Sequence, residues 1–340
     1  GPLQGVAWHA HEMLWGFIAT IAVAFLMTAG ANWTGINPLK GRALGVACAF
    51  WLVARIGFLA GADGAFWVAA AAELGFFVLA SVAMMRAVYR ARNVRNYAVP
   101  WLIVGLAAAD VLYLLAARSG DYALLMQRLD VGLLVMALIA LLITRRVIPF
   151  FAMRAVAGLK LPMQTRTGQV QLGVCVLAVI CLLAGLRLPA AIALGIAGSL
   201  SLLQLLRWRP YAVRGNPLLW ILYVGYAGLG VGLIMAACAA AGANLAAALP
   251  VHMIAMAGFS VLIIGMVTRT ALGHLGRPLA TDRSMLSSYV LMLAAVVLRL
   301  LATAPSTFSQ AALHLAAAAW IAALALYLWR FAPLLIRPRS

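Results

Sequence analysis

Charged residues are scarce in this sequence, and acidic residues are the scarcest. Only 9% of the 340 residues are charged, with seven Asp and Glu against 25 Lys and Arg. A soluble domain carries about 25% charged residues, whereas 66% of this chain is hydrophobic and its mean hydropathy is +1.05. These values exclude a soluble globular fold for most of the chain and indicate that lipid surrounds it.

Several motifs that would assign a chemistry are also missing. The four cysteines lie inside apolar runs and form no Cys-x-x-Cys pair, so we expect packing residues and not thiolate ligands. The sequence has no phosphate-binding loop, no nucleophile elbow and no haem c attachment motif. The net charge of +18 does not indicate nucleic acid as a partner, because the basic residues fall in short clusters between apolar runs.

What the sequence does contain is a series of long apolar runs. Windows of about 20 apolar residues, the length that spans a bilayer, recur eleven times from Trp8 to Phe331. They predict an all-α polytopic membrane protein with about eleven transmembrane helices and a single integral membrane domain over residues 1–340. The longest polar break, residues 145–168, is basic and predicts a cytoplasmic loop between the fifth and sixth helices.

The basic residues predict the orientation of these helices. They concentrate in alternate connections, near residues 40, 86–95, 145–166, 207–214, 269–283 and 330–339, and the last group includes Arg337 and Arg339. The connections on the other side hold only Arg118 and Arg187. Because basic connections stay in the cytoplasm, we expect a cytoplasmic C-terminus and place His9 and His11 on the outer face.

Charged residues and histidines inside the apolar runs share the outer half of the predicted bilayer. Such residues are costly in hydrocarbon and indicate function or pairing, although side chains near helix ends can also reach the interface. We expect the acids to deliver protons or to pair with the arginines. The outer-half residues are Glu12, Arg55, Glu73, Asp110, Arg128, Asp130, Arg299, His9, His11, His252 and His314.

Four histidines at one level suggest a metal centre, because neutral imidazole is a common ligand of copper and haem iron. In a helix the side chains of His9 and His11 point about 160° apart, and each would serve a different centre. In an extended segment they share one side and can grip one copper ion. Arg55 and Arg299 suit haem propionates, and the alternative is pairing with acids.

Two blocks of sequence resemble the NnrS family of bacterial membrane proteins. They are WHAHEMLWGF with FLMTAGANWTG near the start, and GMVTRTALGHLGRP after the histidine-bearing ninth helix. The resemblance covers essentially the whole chain and implies haem, of b type, and copper, together with a role in denitrification and nitric oxide tolerance. It also implies twelve helices, so we expect one further helix ahead of WHAHEM that the given chain lacks.

The resemblance carries particular residues with it. His9, His11 and Glu12 lie in the first block, His252 lies in the ninth helix, and the second block contains Arg269, His274, Gly276 and Arg277. We expect copper on His9 and His11, and haem on His252 and His314, with His274, Arg55, Arg299, Arg269 and Arg277 as further cofactor contacts. His314 is assigned by its depth in the eleventh helix and not by a motif.

Together these features predict a haem and copper protein of the bacterial inner membrane, with its metal site towards the periplasm. It would bind or reduce nitric oxide or a related species, as an oxidoreductase if turnover occurs. One alternative is a transporter of a metal or nitrosyl species, which predicts polar residues on both sides of the midplane. Another is a haem protein that takes electrons from quinol or another donor.

Overall fold

A computed structural model describes residues 2–336, which form helices and connections with no strand among them. Eleven of the helices are long and apolar enough to cross a membrane, which confirms the predicted fold class. They are α1 (Gly5–Thr34), α2 (Arg42–Ala60), α3 (Asp63–Arg90), α4 (Ala98–Ser119), α5 (Tyr122–Ala155), α6 (Thr165–Leu183), α7 (Arg187–Arg207), α8 (Pro217–Ala240), α9 (Ala248–His274), α10 (Arg283–Leu301) and α11 (Ser309–Leu335).

The helix ends follow local chemistry more than hydropathy. α1 ends at Gly35, whose left-handed φ of 70° lets its N–H bond back to the Ala31 carbonyl, a conformation that favours glycine. α5 runs through its basic residues and Pro149 to Ala155. Residues 145–155 of the predicted loop are therefore helical, and so is the segment from Thr165 onward.

The first compact unit covers residues 1–139. α2 and α3 form a tight helical hairpin, α4 packs on α3, and α1 lies against α2, α3 and α4. Its interior contains the fully buried rings of Trp15, Phe77 and Tyr113. Gly132 of α5 lets the Trp15 ring approach, because a Cβ there would lie 2.5 Å from Trp15 Cζ2.

The second compact unit covers residues 140–340. The chain therefore divides into two compact units, whereas the sequence predicts a single membrane domain over residues 1–340. α6, α7, α8 and α9 pack in sequence order, and α10 packs on α11. Small residues bring these helices close together, as is usual in membranes. A Cβ at Gly228 of α8 would lie 2.3 Å from the carbonyl oxygen of Ala257 in α9.

The orientation of the bundle continues to rest on the distribution of basic residues. Arg337 and Arg339, which contribute to the predicted cytoplasmic C-terminus, lie outside the described residues. Arg145 and Arg146 of the predicted loop lie inside α5, whereas other basic residues lie at helix ends. In the first unit, Lys40, Arg90 and Arg92 mark one end, and Arg118 and Asp63 mark the other.

Candidate metal centre

A change of helix type directs the start of α1 towards the interior of the first unit. Residues Gly5–His11 are α-helical, and residues Glu12–Ala19 form a π-helix before the α-helix resumes at Thr20. The Thr20 hydroxyl donates to the carbonyl of Trp15, five residues back, at 2.9 Å. π-Helical segments occur frequently at functional sites. Here the segment begins directly after a buried histidine.

His11 is the centre of a buried cluster of ionisable side chains. Its Nε2 lies 2.9 Å from Asp110 Oδ1 of α4 and 3.2 Å from Glu73 Oε2 of α3. Its Nδ1 lies 3.2 Å from Oε1 of the neighbouring Glu12. The side chains of His11, Glu73 and Asp110 are 0%, 2% and 1% exposed. One imidazole therefore contacts three carboxylates, two of them deeply buried.

Arg55 of α2 closes the cluster on its more accessible side. Its Nη1 donates to Glu12 Oε1 at 2.6 Å, and its Nη2 forms a very short contact with Glu73 Oε1. The Arg55 and Glu12 side chains are 13% and 16% exposed, so this pair lies between the buried carboxylates and the protein surface. Gly16 makes room for the guanidinium, because a Cβ there would lie 2.1 Å from Arg55 Nη1.

Two of the polar atoms in this cluster are buried without a hydrogen-bond partner among the described residues. They are Oε2 of Glu73 and Nε of Arg55. A buried polar atom that makes no hydrogen bond is costly, and each such case calls for an explanation. The Glu73 oxygen lies 3.2 Å from His11 Nε2, close enough for both atoms to bind one ion.

Aromatic rings surround the imidazole of His11 and hold it in place. Trp15 and Tyr113 stack on it at centroid distances of 5.4 and 5.8 Å, and Phe58 meets it edge-on at 4.7 Å. The Trp15 indole donates to the carbonyl of Leu106 at 3.1 Å. The Tyr113 hydroxyl donates to the backbone carbonyl of Ala7 at 2.9 Å. Three aromatic rings therefore form an apolar wall around the imidazole.

The cluster occupies the half of the first unit that faces away from most of its basic residues. At a rise of 1.5 Å per residue, His11 lies about 9 Å from the start of α1 and Glu73 about 15 Å from the start of α3. Asp110 lies about 13 Å from the end of α4 by the same measure. The three residues lie at a similar depth because the start of α1, the start of α3 and the end of α4 are at the same end of the first unit.

Three of these residues can hold a metal ion. One ligand atom each from His11, Glu73 and Asp110 lies within 4.8 Å of the other two, and among residues 2–336 this is the one group of three or more such side chains. Imidazole with carboxylates suits divalent Zn, Fe, Mn and Cu(II) more than Cu(I), which favours sulfur ligands. The same groups can also share and pass protons.

The structure separates His9 from this cluster. Both residues lie in the α-helical start of α1, where His9 is exposed and His11 is buried. Of the two alternatives that the sequence left open, the structure has the helical one. In this helix the two side chains point about 160° apart, the arrangement in which each would serve a different centre.

The remaining predicted histidines lie in the second unit. His252 is half-buried in α9, and its Nδ1 lies 2.7 Å from the carbonyl oxygen of Ala248. A second π-helix, Met253–Ser260, begins directly after it. His274 is exposed at the end of α9, and His314 is exposed on α11.

Asp130 makes none of the described contacts to His11, and the remaining predicted site residues lie in the second unit. Asp130 is exposed on α5. In the second unit, Arg299 is half-buried and Arg277 is exposed. Arg269 is buried with its guanidinium 3.8 Å from the ring centroid of Phe151.

Sequence reasoning missed the residues that shape the cluster. The ring of Phe58 and the space at Gly16 have no motif of their own, and both depend on which helices are neighbours. It also missed a buried polar group in the second unit, formed by Gln171, Ser201 and Tyr226 with a further glutamine. The glutamines inside apolar runs are the signal by which the sequence could have revealed that group.

Comparison with known proteins gives the family of the chain. A family model described as NnrS protein matches residues 1–339. Neither the curated proteins nor the solved structures gave a match. Because the family model covers essentially every residue, the eleven-helix chain with its buried His11 cluster belongs to the NnrS family.

Proposed function

We propose that this chain is a metal-containing membrane protein of the nitric oxide response, with a metal centre at His11, Glu73 and Asp110. The observation that carries the proposal is the convergence of three buried ligand atoms within 4.8 Å. Glu73 Oε2 supports it, because this oxygen accepts no hydrogen bond from the described residues and lies 3.2 Å from His11 Nε2, so one metal ion could bind both atoms. The nitric oxide role comes from the family and from the apolar surroundings, into which a small apolar gas partitions.

The charges of the cluster support a divalent ion. Glu12, Glu73 and Asp110 bring three negative charges when ionised, and Arg55 brings one positive charge. In the state that binds a metal, with a neutral imidazole, the sum leaves two negative charges. An uncompensated charge in a low-dielectric interior costs several kcal/mol, on the order of 3–5 when one partner of a buried pair is missing. One divalent cation would balance these two negative charges.

The two cofactors that the family implies fit different residues. The His11 set offers nitrogen and oxygen donors, which Cu(II) accepts. It does not fit haem, because aromatic rings surround the imidazole and both of its nitrogens face carboxylates. His252 has the chemistry of an axial haem ligand, since an Nδ1–H bond to the Ala248 carbonyl leaves Nε2 with the lone pair.

When bound, these metals would supply a site for nitric oxide and for one-electron transfer. The protein's own residues would manage the protons. With Nε2 on the metal, His11 would donate its Nδ1–H to Glu12 Oε1, so protons would be exchanged between the ring and Glu12 at that nitrogen. The partly exposed Glu12–Arg55 pair would connect this path to the outer surface. Quinol or another donor would supply the electrons.

We place this site towards the periplasm of the bacterial inner membrane. The proposal rests on the basic connections, which concentrate at the opposite end of the first unit, and on the positive-inside tendency. Nitric oxide formed outside the cytoplasm or dissolved in the bilayer would then reach the cluster without crossing a charged surface.

A second candidate function, transport of an ion or nitrosyl species, is favoured by one observation. Buried polar side chains also occur in the second unit, near the helix ends that carry Arg207 and Arg214, as in the pair Gln171 and Ser201. A transport path needs polar residues towards both surfaces. Uptake of the metal into vesicles containing the purified protein would support this function over a fixed metal centre.

Tolerance of nitric oxide tests the leading proposal. A host strain that lacks the gene would be complemented with wild type, Asp110→Asn or Asp63→Asn, at matched levels of protein in the membrane. Asp63 is exposed and serves as the control for the same chemical change. We expect Asp110→Asn to lose protection against a nitric oxide donor and Asp63→Asn to keep it. Equal protection by both variants would contradict the proposal.

A further inference from the structure

The second unit contains a fully buried polar group that the His11 cluster does not involve. Gln171 of α6, Ser201 and Gln204 of α7, and Tyr226 of α8 all have 0% exposure. Gln171 Nε2 donates to Ser201 Oγ at 2.7 Å, and Ser201 Oγ donates to the Ala197 carbonyl at 3.0 Å. These bonds join α6 and α7 near the end of the unit that carries most of its basic connections.

The series of hydrogen bonds in this group ends at Gln204, whose side-chain amide is a donor. Gln171 Nε2 donates to the Tyr226 hydroxyl at 3.4 Å, and that hydroxyl donates to Gln204 Oε1 at 2.5 Å. The amide nitrogen of Gln204 is buried and has no partner among the described residues. The bond from Tyr226 uses only the side-chain oxygen of Gln204, so the side-chain N–H groups of Gln204 are available to a hydrogen-bond acceptor.

A second unpartnered donor lies one helical turn away. Trp208 follows Gln204 by four positions, is fully buried, and stacks on Tyr226 with the ring centroids 5.1 Å apart. Its indole N–H has no partner in the described part of the chain. The backbone carbonyl of Trp208 accepts a bond from the Tyr223 hydroxyl at 3.0 Å, which ties the backbone of this residue to α8.

A guanidinium lies beside the same group. Arg145 packs against Gly168, where a Cβ would lie 2.3 Å from its Nη1, and Gly168 is one turn before Gln171 on α6. Arg145 Nε is buried and lacks a partner within residues 2–336. The single acidic residue of residues 140–340 is Asp282, which pairs with Arg330 at 2.8 Å. The charge of Arg145 therefore has no carboxylate partner among the described residues of its unit.

We propose that Gln204, Trp208 and Arg145 form a binding site for a small monovalent anion, of the size of chloride or nitrate. All three unpartnered atoms are N–H donors, so a ligand that only accepts hydrogen bonds satisfies them. A guanidinium without an acid beside it selects a negative charge over a neutral carbonyl. Gly168 and the half-buried position of Arg145 provide the approach from the end of the unit.

Thermal unfolding of the full chain in detergent tests this site. Sodium chloride or sodium nitrate would be titrated against sodium gluconate at constant ionic strength, because gluconate is too large for a buried site. We expect each small anion to raise the Tm by about 3 °C in a saturable way. Arg145→Gln and Trp208→Phe should each raise the half-maximal anion concentration about tenfold, the effect of one lost hydrogen bond. Arg214→Gln, at an exposed arginine of the same end, should leave it unchanged.

The comparison of anions in the wild-type protein keeps the proposal falsifiable even where a variant folds poorly. Equal Tm values in chloride, nitrate and gluconate would overturn it. So would a Tm increase with a soluble quinone such as duroquinone and none with the anions, which would indicate a neutral carbonyl ligand. An unchanged half-maximal concentration in both Arg145→Gln and Trp208→Phe would also overturn it.

Discussion

Gly16→Ala is expected to disrupt the His11 cluster without removing any of its charges. The new Cβ would lie 2.1 Å from Arg55 Nη1 and 3.0 Å from its Cζ, so the guanidinium must move by at least about 1 Å to reach ordinary contact. That movement breaks the 2.6 Å bond to Glu12 or the shorter one to Glu73. A charge-assisted hydrogen bond contributes about 1.5–3 kcal/mol, and the better helix propensity of alanine returns about 1 kcal/mol. We therefore expect a net loss of about 0.5–2 kcal/mol.

Gly45→Ala is the matched control for this prediction. Gly45 lies in α2 of the same unit, and a Cβ there meets nothing within 4 Å. It should be neutral or stabilise the protein by up to about 1 kcal/mol. SDS-titrated unfolding in mixed micelles compares the two variants. If Gly16→Ala is no less stable than Gly45→Ala, the packing of Arg55 against α1 is not as described.

Two further predictions concern the second unit. Gly228→Ala should destabilise the protein by about 2–3 kcal/mol, because the Cβ would lie 2.3 Å from the carbonyl oxygen of Ala257 and backbone cannot move aside. The same unfolding assay checks it, and a loss below about 0.5 kcal/mol would contradict it. Asp282 lies before α10, where partial burial raises its pKa but bonds from Ser284, Met285 and Arg330 outweigh this and lower the pKa to about 2. Its contribution to stability is present above about pH 4 and is lost as the pH falls towards 2. Unfolding between pH 5 and 2 should show a steeper loss in wild type than in Asp282→Asn, by less than about 1 kcal/mol because the pair is partly exposed.

The sequence predicts the helices well because bilayer thickness alone determines how long an apolar run must be. It predicts their ends less well. α5 passes through Arg145 and Arg146 to Ala155, although a hydropathy window stops at the first of these charges. A helix continues wherever its backbone hydrogen bonds continue, and basic side chains can extend from it to the interface.

The members of the cluster were predictable as residue types, but their contacts were not. Glu12, Arg55, Glu73 and Asp110 stand out in the sequence as charges at one depth of the apolar runs. Their meeting at His11 depends on which faces of α1, α2, α3 and α4 pack together. That packing is determined by shape, for example by the space at Gly16, and shape leaves no mark in a single sequence. The sequence therefore suggests a layer of histidines, whereas the structure contains one histidine among carboxylates.

The most direct test of the central claim is the metal content of the purified chain. Wild type, His11→Gln, Asp110→Asn and the control Asp63→Asn would be purified in detergent and checked for a single folded species by size-exclusion chromatography. Transition metals per chain would then be measured by mass spectrometry. We predict that His11→Gln and Asp110→Asn each contain one equivalent less than wild type, whereas Asp63→Asn contains the same amount. Equal metal content in all four proteins would contradict a metal centre at His11, Glu73 and Asp110.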